Sequence, residues 1–128
     1  MEIDIPEVKA EVEAAFADYE RVLTTNDVDG LTALFWDDEK TIRYGGTENL
    51  YGATEIAAFR AGRSPANLAR SLERTIITTF GRDCATASTL FRRDSAPGKI
   101  GRQMQTWVRL PDGWRVVAAH VSVISDAG

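Results

Sequence analysis

The chain has 128 residues, a net charge of −4, 44% hydrophobic and 27% charged residues, which suits one soluble domain spanning 1–128. That acidic balance argues against bulk attraction to nucleic acid or to an anionic membrane. The single cysteine, Cys84, excludes an internal disulfide and fits a reducing cytosol, so a cytoplasmic location is expected. The start, "MEIDIPEVKAEVEAAF", is acidic and lacks a basic n-region or a long apolar run, so neither signal peptide nor transmembrane segment is expected. Of the 15 basic residues only Lys9, Lys40 and Lys99 are lysines. The other twelve are arginines, the residue suited to forked contacts with carboxylates, although surface arginines are the commoner case.

A first helix is predicted over 6–25, with Asp4 as a cap and Pro6 in the first turn. Val8, Val12, Phe16, Tyr19 and Leu23 recur at helical spacing as one apolar stripe. A second helix follows over 28–36, with Leu31, Leu34 and Phe35 inward. A strand is expected at 39–44, an edge strand at 49–52, and a third helix at 53–62 whose buried side is Ile56 and Phe59. After "GRSPAN" the pattern changes to four longer strands at 70–80, 83–93, 99–110 and 113–124. Gly81, "DSAPGK" and "PDG" supply the hairpin turns of an antiparallel meander. Helices first and strands second make the class α+β rather than alternating α/β.

In the last strand Trp114, Val116, Ala118, His120 and Ser122 alternate with Val117, Ala119, Val121 and Val123. Both sets are largely apolar, so both faces should be covered. The helices cover one, expected to be the Trp114–Ser122 face. A second copy of the chain is expected on the other, making a homodimer through the outer sheet face.

Arg43 lies within the predicted strand "TIRY". Alternation puts Thr41 and Arg43 on one face and Ile42 and Tyr44 on the other, and leaves open which face is inside. An inward guanidinium needs an anion, and a carboxylate ligand would accept two parallel hydrogen bonds from it. An outward one would pair with Asp37, Asp38 or Glu39. Tyr19 faces the interior from the helical stripe, where its hydroxyl needs a partner.

The order of three helices and a bent antiparallel sheet resembles the cone-shaped SnoaL-like, or nuclear-transport-factor-like, superfamily, whose curved sheet wraps a long helix around a pocket. The strings "AAFADYERVLTTNDVDGLTALFW", "TIRYGGTENLYG", "ITTFGRDCATASTLFRR" and "GRQMQTWVRLPDGWRVVAAHVS" together resemble the AtzH family, small bacterial proteins found beside amidases in nitrogen catabolism, including that of cyanuric acid. The resemblance implies an amidohydrolase acting on an N-carboxylated urea, 1,3-dicarboxyurea, to give allophanate with loss of ammonia or carbon dioxide. It also implies an active-site tyrosine on the first helix, here Tyr19, and an arginine on the first strand, here Arg43.

Further candidates for substrate contact follow from the strand faces. His120, the one histidine, suits proton transfer near neutrality, and Ser122 shares its face. A core histidine bonded to a neighbour is the commoner case. Gln103, Gln105 and Trp107 share a face of the preceding strand. Gln105 offers a urea both donor and acceptor, and Trp107 offers a pocket wall. Glu48 and Asn49 sit where they either shape the pocket mouth or turn the chain. Cys84 reads as packing, and "WDDE" as a solvated run. Scattered acids with one histidine give no metal spacing, and "GGTENLYG" lacks the lysine of a phosphate loop, so no metal or cofactor is expected. The main rival reading is a non-catalytic binder or an accessory subunit for a neighbouring amidase. An isomerase or dehydratase is a third, but no acid stands out on an inward strand face to serve as its base.

Overall fold

The computed structural model describes residues 1–126. Three helices, α1 (Pro6–Thr24), α2 (Val28–Ala33) and α3 (Ala53–Ala61), pack on one curved sheet. Its strands are β1 (Ile42–Tyr44), β2 (Asn49–Tyr51), β3 (Ser71–Phe80), β4 (Cys84–Arg92), β5 (Lys99–Leu110) and β6 (Gly113–Ser125). Their spatial order is β2-β1-β6-β5-β4-β3. The four long strands form the expected antiparallel meander. The short β1 is added beside β6 in parallel, with Arg43 opposite Ala119 and Tyr44 opposite His120.

The helix α1 forms because its apolar residues return every three or four positions, and Val8, Val12, Phe16, Tyr19, Val22 and Leu23 are all buried against the sheet. Pro6 sits in the first turn as expected. Asp4 is not the cap, since Ile5 occupies that position. Asp4 instead ties the chain start to β3: its carboxylate accepts the Thr79 N–H at 2.9 Å, and its own N–H donates to the Thr79 carbonyl at 3.1 Å. The helix α2 is capped by Asp27, which accepts the Gly30 N–H at 3.0 Å. It stops earlier than its apolar pattern suggests because the sheet takes the next residues. The Leu34 carbonyl accepts from Val116 at 2.8 Å, and the Trp36 N–H donates to the Val116 carbonyl at 2.9 Å.

A bulge in β6 decides which residues face the helices. Trp107 opposes Val116 and Thr106 opposes Ala118, so Val117 has no partner. Trp114 and Val116 are buried before the bulge, whereas Ala119 is buried after it. The inward set thus changes from even to odd numbers, and the expected continuous face from Trp114 to Ser122 is corrected here. His120 turns outward and is exposed. It meets the Tyr44 ring edge-on, with centroids 6.1 Å apart. Ser122 turns outward too, where its hydroxyl accepts from Arg102 Nε at 3.2 Å. No helix among the described residues is long and apolar enough to cross a membrane.

Candidate anion-binding site

Between the helices and the inner sheet face lies a small cavity of about 40 Å³. Tyr19 and Leu23 reach it from α1, Leu31 from α2, and Val121 and Gln103 from the inner sheet face. Five arginines complete the wall: Arg43 on β1, Arg60 on α3, and Arg63, Arg70 and Arg93 from segments flanking α3, β3 and β4. Guanidiniums repel one another, so such a convergence needs negative charge to balance it.

Two arginines have that balance within the chain. Arg43 Nη1 donates to Glu48 Oε1 at 2.8 Å, with its charged end 5.5 Å from the Phe59 ring centre. Arg70 holds Glu20 with both prongs of its fork, Nε at 2.8 Å and Nη2 at 2.6 Å, and Nη2 also donates to Gln103 Oε1 at 3.0 Å. Arg60, Arg63 and Arg93 make no ion pair among the described residues. Both Nη atoms of Arg60, Nε and Nη2 of Arg63, Nε of Arg93 and Nε2 of Gln103 are buried without a hydrogen-bond partner. Every unpaired buried polar atom of the lining residues is therefore a donor.

The electrostatics follow from this crowding. Burial pushes the Arg60 guanidinium down to about 10, with the charges of Arg43 and Arg63 adding to the effect and that of Tyr19 opposing it. It remains a cation at neutral pH. Burial likewise lowers Arg63, helped by Arg43, and Arg93, helped by Arg70 and Arg63. Burial opposes ionisation of Glu48, but hydrogen bonds from Thr47 and Arg43 and the Arg43 charge outweigh it and hold the carboxyl below its usual range. Two aromatic supports hold the cations in place. Arg60 lies 4.3 Å from the centre of the Phe35 ring, and Arg70 and Arg93 lie 4.5 and 4.7 Å from that of Phe91.

Tyr19 and Arg43 open onto this same cavity. The Arg43 face left open by alternation is the inward one, because its parallel neighbour Ala119 is inward. Its carboxylate partner is Glu48, not Asp37, Asp38 or Glu39. The Tyr19 ring is wedged between Phe35 and Trp107, with centroids 6.2 and 6.3 Å away, and its hydroxyl makes no hydrogen bond among the described residues. Gln105 and Trp107 are buried on the inner face, but behind the cavity wall rather than on it. The Trp107 indole donates to Gln105 Oε1 at 3.0 Å, and the amide's Nε2 is buried without a partner. His120, Ser122 and Asn49 do not reach the cavity: the β6 bulge turns the first two away, and Asn49 is exposed on the edge strand β2.

Sequence reasoning missed Arg60, Arg63, Arg70 and Arg93 as cavity residues. Arg60 had a signal, since it stands one helical turn after the buried Ile56. The other three lie at element ends, where no periodicity speaks for them.

A family model described as AtzH-like matches residues 1–127. Among solved structures, a protein of unknown function of the DUF3225 family from Pectobacterium atrosepticum is 58% identical with a TM-score of 0.94, over 96% of this chain and 95% of that one. A cystatin-like fold protein from Burkholderia xenovorans is 50% identical with a TM-score of 0.94, over 98% of each chain. An NTF2-like protein with a cystatin-like fold from Novosphingobium aromaticivorans is 23% identical with a TM-score of 0.72, over 95% of this chain and 84% of that one, and shares the fold. No curated protein matches the chain.

Proposed function

The chain belongs to the AtzH-like family, and from that premise we propose that it is an amidohydrolase that removes an N-carboxylate from a small anionic urea such as 1,3-dicarboxyurea, giving allophanate. The observation that carries the reading is the cavity wall, in which every unpaired buried polar atom is a donor and most belong to cations. Such a wall favours a ligand rich in acceptor oxygens and negative charge. A flat urea with a carboxylate at each end has both. The resting cavity is small, but Arg63, half-buried with neither an ion pair nor a ring against it among the described residues, is free to swing aside and admit the ligand.

In the proposed reaction the bond between a terminal urea nitrogen and its carboxylate carbon breaks. The electron pair stays on nitrogen, carbon dioxide leaves, and nitrogen takes a proton. Dianion plus proton thus gives the monoanion allophanate and carbon dioxide. Tyr19, with its hydroxyl free and its ring fixed, is the proton donor, and water restores its proton. Arg43 holds the carboxylate that remains. A tight grip on the departing carboxylate would favour the ground state and slow its loss. Water-poor surroundings further favour release of neutral carbon dioxide from a charged group. The proposed working unit is a homodimer joined through the outer sheet face, a reading supported by the exposed Ile76 and Met104 there.

The test is Tyr19→Phe beside Arg43→Lys, with folding followed by circular dichroism. Tyr19→Phe is expected to lower kcat by about 100-fold or more, the usual weight of a positioned proton donor. Arg43→Lys keeps the charge and loses the fork, so KM should rise. Two folded variants with wild-type turnover would overturn the mechanism.

A further inference from the structure

We infer that Gln103 is a ligand-contacting residue that donates its side-chain N–H₂ to an oxygen of the bound anion, and that Arg70 and Glu20 are positioning residues that hold the amide in that sense. The inference rests on the reading of the cavity as an anion site and adds a rule for what that site rejects.

An amide side chain normally has two orientations that exchange its oxygen and nitrogen. At Gln103 one orientation is forbidden by chemistry. Its oxygen faces Arg70 Nη2 at 3.0 Å, and a guanidinium has donors only. Flipping the amide would set donor against donor. The arginine cannot turn aside to allow it, because its fork is clamped on both oxygens of Glu20 and its plane lies over Phe91. Glu20 is the residue after Tyr19 on α1. The relay therefore ties the helix that carries the phenol to the strand that carries the amide. Gln103 is only 2% exposed, lines the cavity, and leaves Nε2 without a partner. A buried donor left so is destabilising unless an acceptor arrives.

The consequence is a selection rule. A carboxylate or carbonyl oxygen placed against Gln103 satisfies the donor. A carboxamide that presents its own N–H₂ there leaves two donors facing each other and is rejected. The neighbouring cations favour charge wherever it sits in the cavity, whereas Gln103 tests one position for acceptor character.

The experiment measures binding of malonate and of its half-amide, malonamate, to the full chain by titration calorimetry. Wild type should prefer malonate. In Gln103→Glu the new side chain still accepts from Arg70 but shows the ligand a charged acceptor. Malonate affinity should fall about 10- to 100-fold, the range of a lost hydrogen bond to a charged group plus new repulsion. The preference over malonamate should narrow, because the glutamate can accept the amide N–H. A new carboxylate also repels the dianion more than the monoanion, so the neutral Gln103→Met is measured beside it. With the donor gone and no charge added the ratio should still narrow, whereas a merely structural role would leave it unchanged. Arg70→Met should narrow it as well, with Gln103 intact, by freeing the amide to flip; if that variant does not fold, Gln103→Glu decides. Wild-type affinity and preference in a folded Gln103→Glu would overturn this inference alone, provided Arg43→Lys still weakens malonate. A wild type that binds no malonate would overturn the anion reading and this inference together.

Discussion

A single side chain, Arg60, shows how the site and the stability of the fold oppose each other. It is 3% exposed, neither Nη atom has a partner, and its company is the Phe35 ring and two other guanidiniums. A buried charge in that state is destabilising until an anion joins it. Replacing it with a methionine of similar length should raise stability by about 1–2 kcal/mol, by analogy with buried charges exchanged for apolar groups. In a chain of this size that is several degrees of Tm, read by scanning calorimetry. The same variant should weaken malonate binding about ten-fold or more, because two charge-assisted donors are gone. A lower Tm would show that Arg60 is balanced within the protein and would count against the anion site. Residue identity also explains why Arg60 went unread in the sequence. Helical spacing from Ile56 points to it, but a charge is assigned to water by default, and the apolar Phe59 is the more obvious inward neighbour. Arg43 differs: alternation grouped it correctly with the fully buried Thr41, and only the pairing of β1 with β6 could say which group faces inward.

At the scale of elements, strand pairing builds the arginine wall. Gly101 on β5 stands opposite Phe91 on β4, and the Phe91 ring lies where a Cβ on Gly101 would have to be. That vacancy lets the ring lie flat and support Arg70 and Arg93. Gly101→Ala should therefore displace the ring, lower stability by about 1–3 kcal/mol through overpacking, and reduce the Tm gain that malonate confers. A smaller Tm with an undiminished malonate gain would show that the ring supports the fold and not the site. The four long strands were legible in the sequence because each hairpin turn carries glycine, proline or aspartate, and their ends fall within a residue or so of expectation. The bulge at Val117 was not legible. "VVAA" is apolar at every position, so sliding one residue leaves the same pattern, and alternation carried through it sends His120 and Ser122 to the wrong side. The arginines at the ends of β3 and β4 were hidden for another reason: they lie far apart in sequence and meet only once the sheet curls.

The whole molecule leaves the convex sheet face uncovered, and Ile76 and Met104, more than half exposed, mark it. Tyr44, Tyr51 and His120 lie at the β1–β2 end of the same sheet. Met104 opposes Ser88 on one side and His120 on the other, near the middle of the strand order. Met104→Glu should turn a dimer into a monomer in light scattering while the malonate affinity stays at the wild-type level. A wild type that is monomeric at micromolar concentration would remove the proposed assembly. This surface could be anticipated from the two-sided apolar last strand, although the bulge exchanged the residues expected on its faces. The side-by-side run of β1 with β6 has one more implication, for how the protein is born. Arg43 leaves the ribosome well before Ala119 on β6, the neighbour that orients its strand. The hollow therefore stays unassembled until β6 emerges, so a nascent chain arrested within that strand should hold much of its meander and still have no place for a ligand.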